Sequence, residues 1–232
     1  MGQKCYFICC LFCVSALFAQ NEVALDSLDT TYREDQFYFG ITYNALVDTP
    51  ELVDTRGLTG SVHFGFTRDM PINKRRNLSV ALGIGASFDE YGSTLFIGED
   101  QANRTIFTSL SDNEVTYDVN RFSSSSIEVP LEFRWRSSSA QNYTFWRFYA
   151  GVRLGYTYWY KSSFKQDGNT VTQTDIPEFN KMRLGATLSV GYNTVNFYAY
   201  YGITPFFDNA VTTNGTPIDM RTLKLGLLFF IL

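Results

Sequence analysis

The amino-acid sequence predicts an all-β fold, namely an eight-stranded antiparallel up-and-down transmembrane β-barrel with a filled polar lumen. Three observations support this prediction. Apolar and polar residues alternate with a period of two in eight segments, and each segment has the length that a tilted membrane strand requires. Long and short connections alternate between these segments, which is typical of membrane-spanning barrels. Glycine is concentrated on the polar faces, where a narrow interior needs small residues.

The N-terminal residues 1–19 have the organisation of a secretory signal peptide. Lys4 gives the start a positive charge, residues 5–19 carry no charge, and Gln20 begins an ordinary polar sequence. We expect cleavage after Ala19, with Ala16 as the alternative. All cysteines lie in the segment to be removed, so the mature chain is expected to hold neither a disulfide nor a cysteine metal site: Cys5, Cys9, Cys10 and Cys13.

The mature chain is acidic and has room for one domain. Loss of Lys4 changes the formal net charge from −4 to −5, which argues against nucleic acid as a partner. The longest apolar run is 225–232, which is too short for a membrane helix. We expect residues 20–35 to form a short periplasmic N-terminal segment and residues 36–232 to form the barrel.

The first three predicted strands are 36–45, 60–68 and 78–88. Their apolar faces carry Phe37, Phe39, Ile41 and Tyr43 in the first, Val62, Phe64 and Phe66 in the second, and Leu78 to Phe88 at even positions in the third. Their opposite faces carry small or polar residues. A soluble barrel with an inward apolar face would alternate in the same way, but a solvent-facing exterior gains nothing from glycine. We therefore assign the polar faces to the interior.

The fourth strand, "SSSSIEVPLEFRWR" at 123–136, is apolar at its odd positions and charged at its even positions, which are Glu128, Glu132, Arg134 and Arg136. A slip of one residue would expose these charges to lipid, at about 2 to 4 kcal/mol for each arginine near the midplane. The charged side chains should therefore face the lumen. Because Pro130 cannot donate a ladder hydrogen bond, we expect a missing bond and a bulge or kink there.

The fifth strand, 146–161, has an apolar face in which an aliphatic band lies between two aromatic girdles, as expected for a membrane-facing surface: Trp146, Phe148, Ala150, Val152, Leu154, Tyr156, Tyr158 and Tyr160. Trp159 and Lys161 then belong to the lumen face. The last three strands are 181–192, 195–206 and 222–232. In the eighth strand, Leu223, Leu225, Leu227 and Phe229 are outward, and Lys224 and Gly226 are inward.

An eight-stranded barrel encloses space for side chains but not for a wide channel, so its interior charges must neutralise one another. We expect a lumen charge network that consists of Glu128, Glu132, Arg134, Arg136, Arg147, Arg153, Arg183 and Lys224. The two glutamates are expected to pair with arginines such as Arg153 and Arg183. A gated or anion-preferring pore is the alternative interpretation of the same residues.

The long connections are acidic and hold 15 of the 23 carboxylates: Asp48, Glu51, Asp54, Asp89, Glu90, Glu99, Asp100, Asp112, Glu114, Asp118, Asp167, Asp175, Glu178, Asp208 and Asp219. One hypothesis is that these loops bind divalent cations at a lipopolysaccharide surface or engage a protein partner. The favoured interpretation is that the carboxylates only keep the long polar loops solvated.

Several stretches resemble one family. "SIEVPLEFRWR" at 126–136 resembles the "LEIPLLLKYR" strand of the small bacterial outer-membrane β-barrel family, called PorT-like or porin family, and "FAQ", "YAGVRLGY" and "LKLGLLFFIL" fit the same pattern. Glu128 and Pro130 correspond to the glutamate and proline of that strand. The resemblance implies an eight-stranded barrel with a filled interior, and a namesake member belongs to a protein-secretion apparatus. The charged "EFRWR" departs from the more apolar family pattern.

These observations predict an outer-membrane barrel with periplasmic termini, extracellular long loops and no cofactor. Its expected partners are outer-membrane lipid, lipopolysaccharide and envelope proteins, and its expected role is structural or in interactions. The PorT-like resemblance implies a link to protein secretion. A small-solute porin is the first alternative. A lipid-modifying enzyme is the second, with His63 and Ser61 as the candidates, but two residues along one strand separate side chains by about 7 Å, so His63 is interpreted as packing in the lumen.

Overall fold

The computed structural model describes residues 35–111, 116–137 and 146–231, and this part of the chain forms eleven β-strands. Their bounds are β1 Gln36–Val47, β2 Gly60–Pro71, β3 Leu78–Gly92, β4 Leu95–Glu99, β5 Thr105–Ser109, β6 Val119–Arg136, β7 Trp146–Gln166, β8 Asn169–Gln173, β9 Met182–Tyr192, β10 Val195–Gly202 and β11 Arg221–Ile231. The predicted signal peptide, its cleavage site and nearly all of the 20–35 segment lie outside the described residues.

Eight of the strands form a closed antiparallel barrel. Each of β1, β2, β3, β6, β7, β9, β10 and β11 pairs with its neighbours along the chain. The ring closes where β1 pairs with β11, with Phe37 opposite Ile231 and Val47 opposite Arg221. The predicted eight-stranded up-and-down barrel is therefore confirmed. No helix in the described part of the chain is long and apolar enough to cross a membrane.

The two ends of the barrel differ in the length of their connections. The short-turn end has the connections 72–77, 137–145 and 193–194, whereas the long-loop end has 48–59, 93–118, 167–181 and 203–220. The long-loop end contains its own β-structure, because β4 pairs with β5 and β8 extends the edge of β7. Residues 95–99 pair with β5 in a hairpin that is separate from the barrel sheet.

The outer surface of the barrel is an apolar band. In β6, for example, the outward side chains from Ile127 to Trp135 are 40–47% exposed, while the alternating side chains are buried. This stretch spans about nine residues, which matches the length of a tilted strand in a bilayer. The strict alternation in β6 separates its apolar exterior from its charged interior.

A β-bulge in β7 changes which residues face inward. Ser126 lies opposite Thr157 and Ser125 lies opposite Trp159, so Tyr158 is an additional residue in β7. Tyr158 and Trp159 are both exposed as a result, at 53% and 47%. Before the bulge the buried positions of β7 are odd-numbered, as at Arg153 and Thr157, whereas beyond it they are even-numbered, as at Tyr160 and Ser162.

The bulge overturns three sequence assignments. Tyr160 was expected on the outer face but is buried, and Trp159 was expected in the lumen but is exposed. Lys161 was also assigned to the lumen, but its neighbours Tyr160 and Ser162 are the buried residues at this level. Alternation alone cannot locate an inserted residue, because the sequence on both sides of a bulge remains periodic.

No bulge occurs at Pro130, so that part of the prediction is wrong. In the pairing of β6 with β3, Leu82 lies opposite Leu131 and Gly85 lies opposite Glu128, so the register is the same on both sides of Pro130. Pro130 itself has no partner residue in this ladder. The register shift of β6 lies instead at Ser125 and Ser126. The missing N–H of Pro130 is consistent with a gap in one ladder, and an unbroken register keeps the neighbouring strands aligned.

Deletion of Tyr158 should be tolerated, because it converts the bulge into regular pairing and keeps Trp159 outward and Tyr160 inward. Deletion of Lys161 should instead reverse the faces of the following residues or remove Tyr160 from the interior. Limited proteolysis of the folded protein in detergent should show intact loops in the first variant and cleaved loops in the second. Equal protease resistance of the two variants would contradict the role of the bulge.

Candidate functional site

The eight side chains of the predicted lumen network lie inside the barrel. Arg134 and Arg136 are fully buried, and seven of the eight are less than 9% exposed. Arg183, whose side chain is 11% exposed, lies nearest the long-loop end. Their contacts form three groups along the barrel that the sequence did not distinguish.

The group near the short-turn end is organised by Asp69. Its two carboxylate oxygens pair with Arg134 Nη1 at 3.0 Å and with Arg136 Nη1 at 2.6 Å. Ser79 Oγ donates a hydrogen bond to the same carboxylate at 3.0 Å. Arg134 Nη2 also pairs with Glu132 Oε2 at 2.8 Å. The Asp69 carboxylate therefore pairs with both buried guanidinium groups, and Glu132 supplies the second negative charge.

In the middle of the lumen, Arg153 lies between the two glutamates. Arg153 Nη1 donates to Glu128 Oε2 at 3.0 Å, and its Nη2 lies 3.9 Å from Glu132 Oε1. Arg183 was also proposed as a partner of these glutamates but contacts Asp89 instead. The register explains this difference, because Gly155 separates Glu128 from Arg183 in the same row of the sheet.

The group near the long-loop end is organised by Asp89. Lys224 Nζ lies 2.5 Å from Asp89 Oδ1, and Ser87 Oγ donates to the same oxygen at 3.0 Å. Arg183 Nη2 lies 3.8 Å from Asp89 Oδ2. Asp89 thus performs at this end the role that Asp69 performs at the other end.

Sequence reasoning missed both aspartates as lumen residues. Asp69 was placed in a turn and Asp89 in a long loop, but β2 continues to Pro71 and β3 continues to Gly92. The available signal was the alternation itself. Asp69 continues the inward series of Thr67, and Asp89 continues that of Ser87, so the predicted strands were ended too early.

Aromatic rings provide further contacts for the buried cations. Arg153 Cζ lies 5.3 Å and 5.4 Å from the ring centres of Tyr38 and Tyr198. Arg134 Cζ lies 4.6 Å from the ring of Tyr149, and Arg147 Cζ lies 5.5 Å from that of Phe230. Such contacts stabilise a cation most where water is excluded. Guanidinium groups and rings together fill the lumen.

A hydrophobic cluster covers the lumen at the long-loop end. This cluster, hereafter the cap, draws residues from strand ends and from all four long loops: Val53, Tyr91, Leu95, Ile97, Phe107, Phe122, Tyr160, Ile176, Phe179, Phe206, Phe207, Ala210, Ile218 and Met220. Backbone hydrogen bonds tie the cap to the loops, including Phe206 N to Met220 O at 2.8 Å. Phe206 was expected at the end of the seventh strand but belongs to the cap.

His63 and Ser61 point into the barrel interior. His63 is 2% exposed, and its ring lies 5.0 Å from that of Tyr198. The absence of a side chain at Gly40 leaves the space that the His63 ring occupies. Ser61 Oγ makes hydrogen bonds with Thr42 Oγ1 at 2.7 Å and with Asn44 Oδ1 at 2.9 Å. These contacts are those of packed lumen residues.

The surface of the long-loop end is polar and acidic. Nine of the loop carboxylates in the described ranges are exposed: Asp48, Glu51, Asp54, Glu99, Asp118, Asp167, Asp175, Asp208 and Asp219. A groove of about 280 Å³ is lined by Thr108, Thr212, Thr213 and Thr216 beside Glu51. Across residues 35–111, 116–137 and 146–231, no three His, Cys, Asp or Glu side chains converge as a metal site would require. The divalent-cation hypothesis therefore has no preformed site there.

A match to a protein-family model supports the barrel assignment. A family model described as an outer membrane protein beta-barrel domain matches residues 18–208. No curated protein matches the chain significantly. Two crystal structures of Ail, the attachment invasion locus protein of Yersinia pestis, are similar to it, one of them in complex with the heparin analogue sucrose octasulfate. Each has 13% sequence identity and a TM-score of 0.34, with 87% of this chain and 100% of the Ail chain covered.

Replacement of Asp69 by Asn should destabilise the barrel strongly, because Arg134 and Arg136 then lose their shared carboxylate. Breaking a buried ion pair by removing one partner costs about 3 to 5 kcal/mol. Urea unfolding in lipid or detergent should show this loss of unfolding free energy. An exposed matched variant, Asp219→Asn, should change stability little, and equal effects of the two variants would contradict the role of Asp69.

Proposed function

The chain belongs to the outer membrane protein beta-barrel domain family, and we propose that it acts as a sealed interaction barrel rather than as a channel. In this proposal the bilayer-spanning strands anchor the protein in the outer membrane. The long-loop end then presents a rigid surface to partners. The termini lie in the periplasm and the long loops outside the cell, which is the usual arrangement for barrels of this kind.

The observation that carries the proposal is the double closure of the barrel. Ion pairs and aromatic rings fill the lumen, and the cap covers its long-loop end. A conducting pore would need a continuous aqueous path through both layers. An eight-stranded barrel is only wide enough for its own side chains. The small-solute porin alternative receives no support from this arrangement.

An interaction role is supported by the way in which the loops are held. The backbone of Thr213 donates to Phe107 O at 2.8 Å, and Thr108 and Thr213 share a hydrogen bond between their hydroxyl oxygens at 2.9 Å. Arg221 Nη1 pairs with Asp48 Oδ2 at 2.8 Å. Loops that are ordered before binding lose less conformational entropy when a partner docks. The exposed carboxylates favour a partner with a basic surface, and the PorT-like resemblance suggests an envelope component that serves protein secretion.

The purified protein should insert into planar bilayers without producing stable single-channel conductance, because both the lumen and its long-loop end are filled. Insertion should be verified independently by the heat-modifiable migration of the folded barrel on gels. Regular conductance steps from verified, folded protein would contradict the sealed barrel and would restore the porin alternative.

Affinity purification from the native outer membrane should recover a partner through the acidic loop surface. A Glu51→Gln, Asp208→Asn, Asp219→Asn variant should lose this partner because the carboxylates that attract a basic surface are gone. A Lys74→Gln, Arg75→Gln variant alters the opposite end and should retain it. Recovery of the same proteins by both variants would show that the loop carboxylates do not bind the partner.

A further inference from the structure

The β7 bulge creates an unusual combination of side chains on the outer surface of the barrel. Tyr156, Tyr158 and Trp159 are 47–53% exposed and form an aromatic group at the long-loop boundary of the apolar band. Phe88 and Trp159 lie on either side of Ser125, whose small side chain leaves room for both rings. Aromatic side chains of this kind occupy the boundary between acyl chains and headgroups in membrane proteins.

Cationic side chains lie directly beyond these rings on the same surface. Ser123 pairs with Lys161, and Arg121 pairs with Ser163, in the first two outward rows above Trp159. Positions related diagonally across a ladder, such as Arg121 and Lys161, are about 7 to 8 Å apart. Lys165 continues the series in the row beyond. The buried residues in between, Phe122 and Tyr160, show that the charged side chains point away from the cap.

Two carboxylates accompany these cations. Glu90 Oε1 lies 3.2 Å from Arg121 Nε, and Glu90 Oε2 accepts a hydrogen bond from Ser123 Oγ at 2.6 Å. The backbone N–H of Asp118 donates to Lys165 O at 2.9 Å, so Asp118 lies beside Lys165 in the outermost row. Lys161, next to the aromatic group, has no ion pair among the contacts of the described residues. A positive charge therefore lies at the level where headgroups begin.

We propose that this bulge patch, which comprises Tyr158, Trp159, Lys161 and Arg121, binds the phosphate groups of a phosphorylated glycolipid in the outer leaflet. The rings contact the upper acyl chains, and the two cations bind phosphate through charge-assisted hydrogen bonds. The assignment to the outer leaflet rests on the orientation proposed above. The bulge is essential to the site, because regular alternation would turn Lys161 into the lumen and place Tyr160 on the surface.

The site contains its own spectroscopic reporter. The other two tryptophans, Trp135 and Trp146, lie near the short-turn end of their strands, so a Trp135→Phe, Trp146→Phe variant keeps Trp159 alone. In detergent micelles, titration of this variant with lipid A, a diphosphorylated glycolipid, should shift the emission of Trp159. Phosphatidylglycerol should bind more weakly, and sodium phosphate, which has no acyl chains, should have no effect.

Charge variants in the same background test the two cations. Arg121→Gln, Lys161→Gln should weaken lipid A binding by roughly fivefold for each charge removed. Lys74→Gln, Arg75→Gln removes the same charge at the opposite end and should leave the affinity unchanged. Glu90→Gln frees Arg121 from its carboxylate and should strengthen binding.

The proposal is overturned if lipid A leaves the emission unchanged, if the Arg121 and Lys161 variant binds as tightly as its parent, or if phosphatidylglycerol or free phosphate binds equally well. These micelle measurements do not depend on orientation in the cell. Protease accessibility of the long loops in intact cells tests the orientation separately. A barrel with inaccessible loops that still binds lipid A would contradict the proposed topology and leave the site chemistry intact.

Discussion

The pairing of Asp69 with Arg134 and Arg136 shows the constraint on which the rest of the structure depends. A closed barrel of eight strands has no room for bulk water, so a charge that points inward must find an opposite charge or an aromatic ring. Asp69 does this at one end, Glu128 and Glu132 do it around Arg153, and Asp89 does it at the other end. These charged partners meet only when the strands have the observed register and length and the barrel is closed.

The same constraint connects the interior with the exterior. Because neighbouring residues of a strand point to opposite faces, each inward charge in β6 is accompanied by an outward apolar residue. The ion pairs therefore help to hold the lipid-facing band in place. The β7 bulge interrupts this relation once, and at that point an aromatic group and cations appear on the surface while Tyr160 joins the cap.

Because the lumen is filled and the cap covers its long-loop end, we expect binding on the surfaces of the barrel rather than in its interior. The loops are ordered by hydrogen bonds and by a shared hydrophobic cluster. A solid barrel with ordered loops is well suited to present fixed side chains to a protein or a lipid. His63, the strongest sequence candidate for chemistry, packs against Tyr198 and next to Gly40 in the interior.

The sequence by itself determined the barrel, its eight strands and the inward position of Glu128, Glu132, Arg134 and Arg136, because a period of two is a local property of the chain. The alternation in the sequence also places Asp69 and Asp89 on the inward faces of β2 and β3, as extending the predicted strands to these residues would have shown. Only the tertiary structure decided which charges meet, since Arg153 rather than Arg183 reaches the glutamates through cross-strand register. The bulge at Tyr158 and the assembly of the cap were also decided there, because both depend on contacts between residues far apart in the chain.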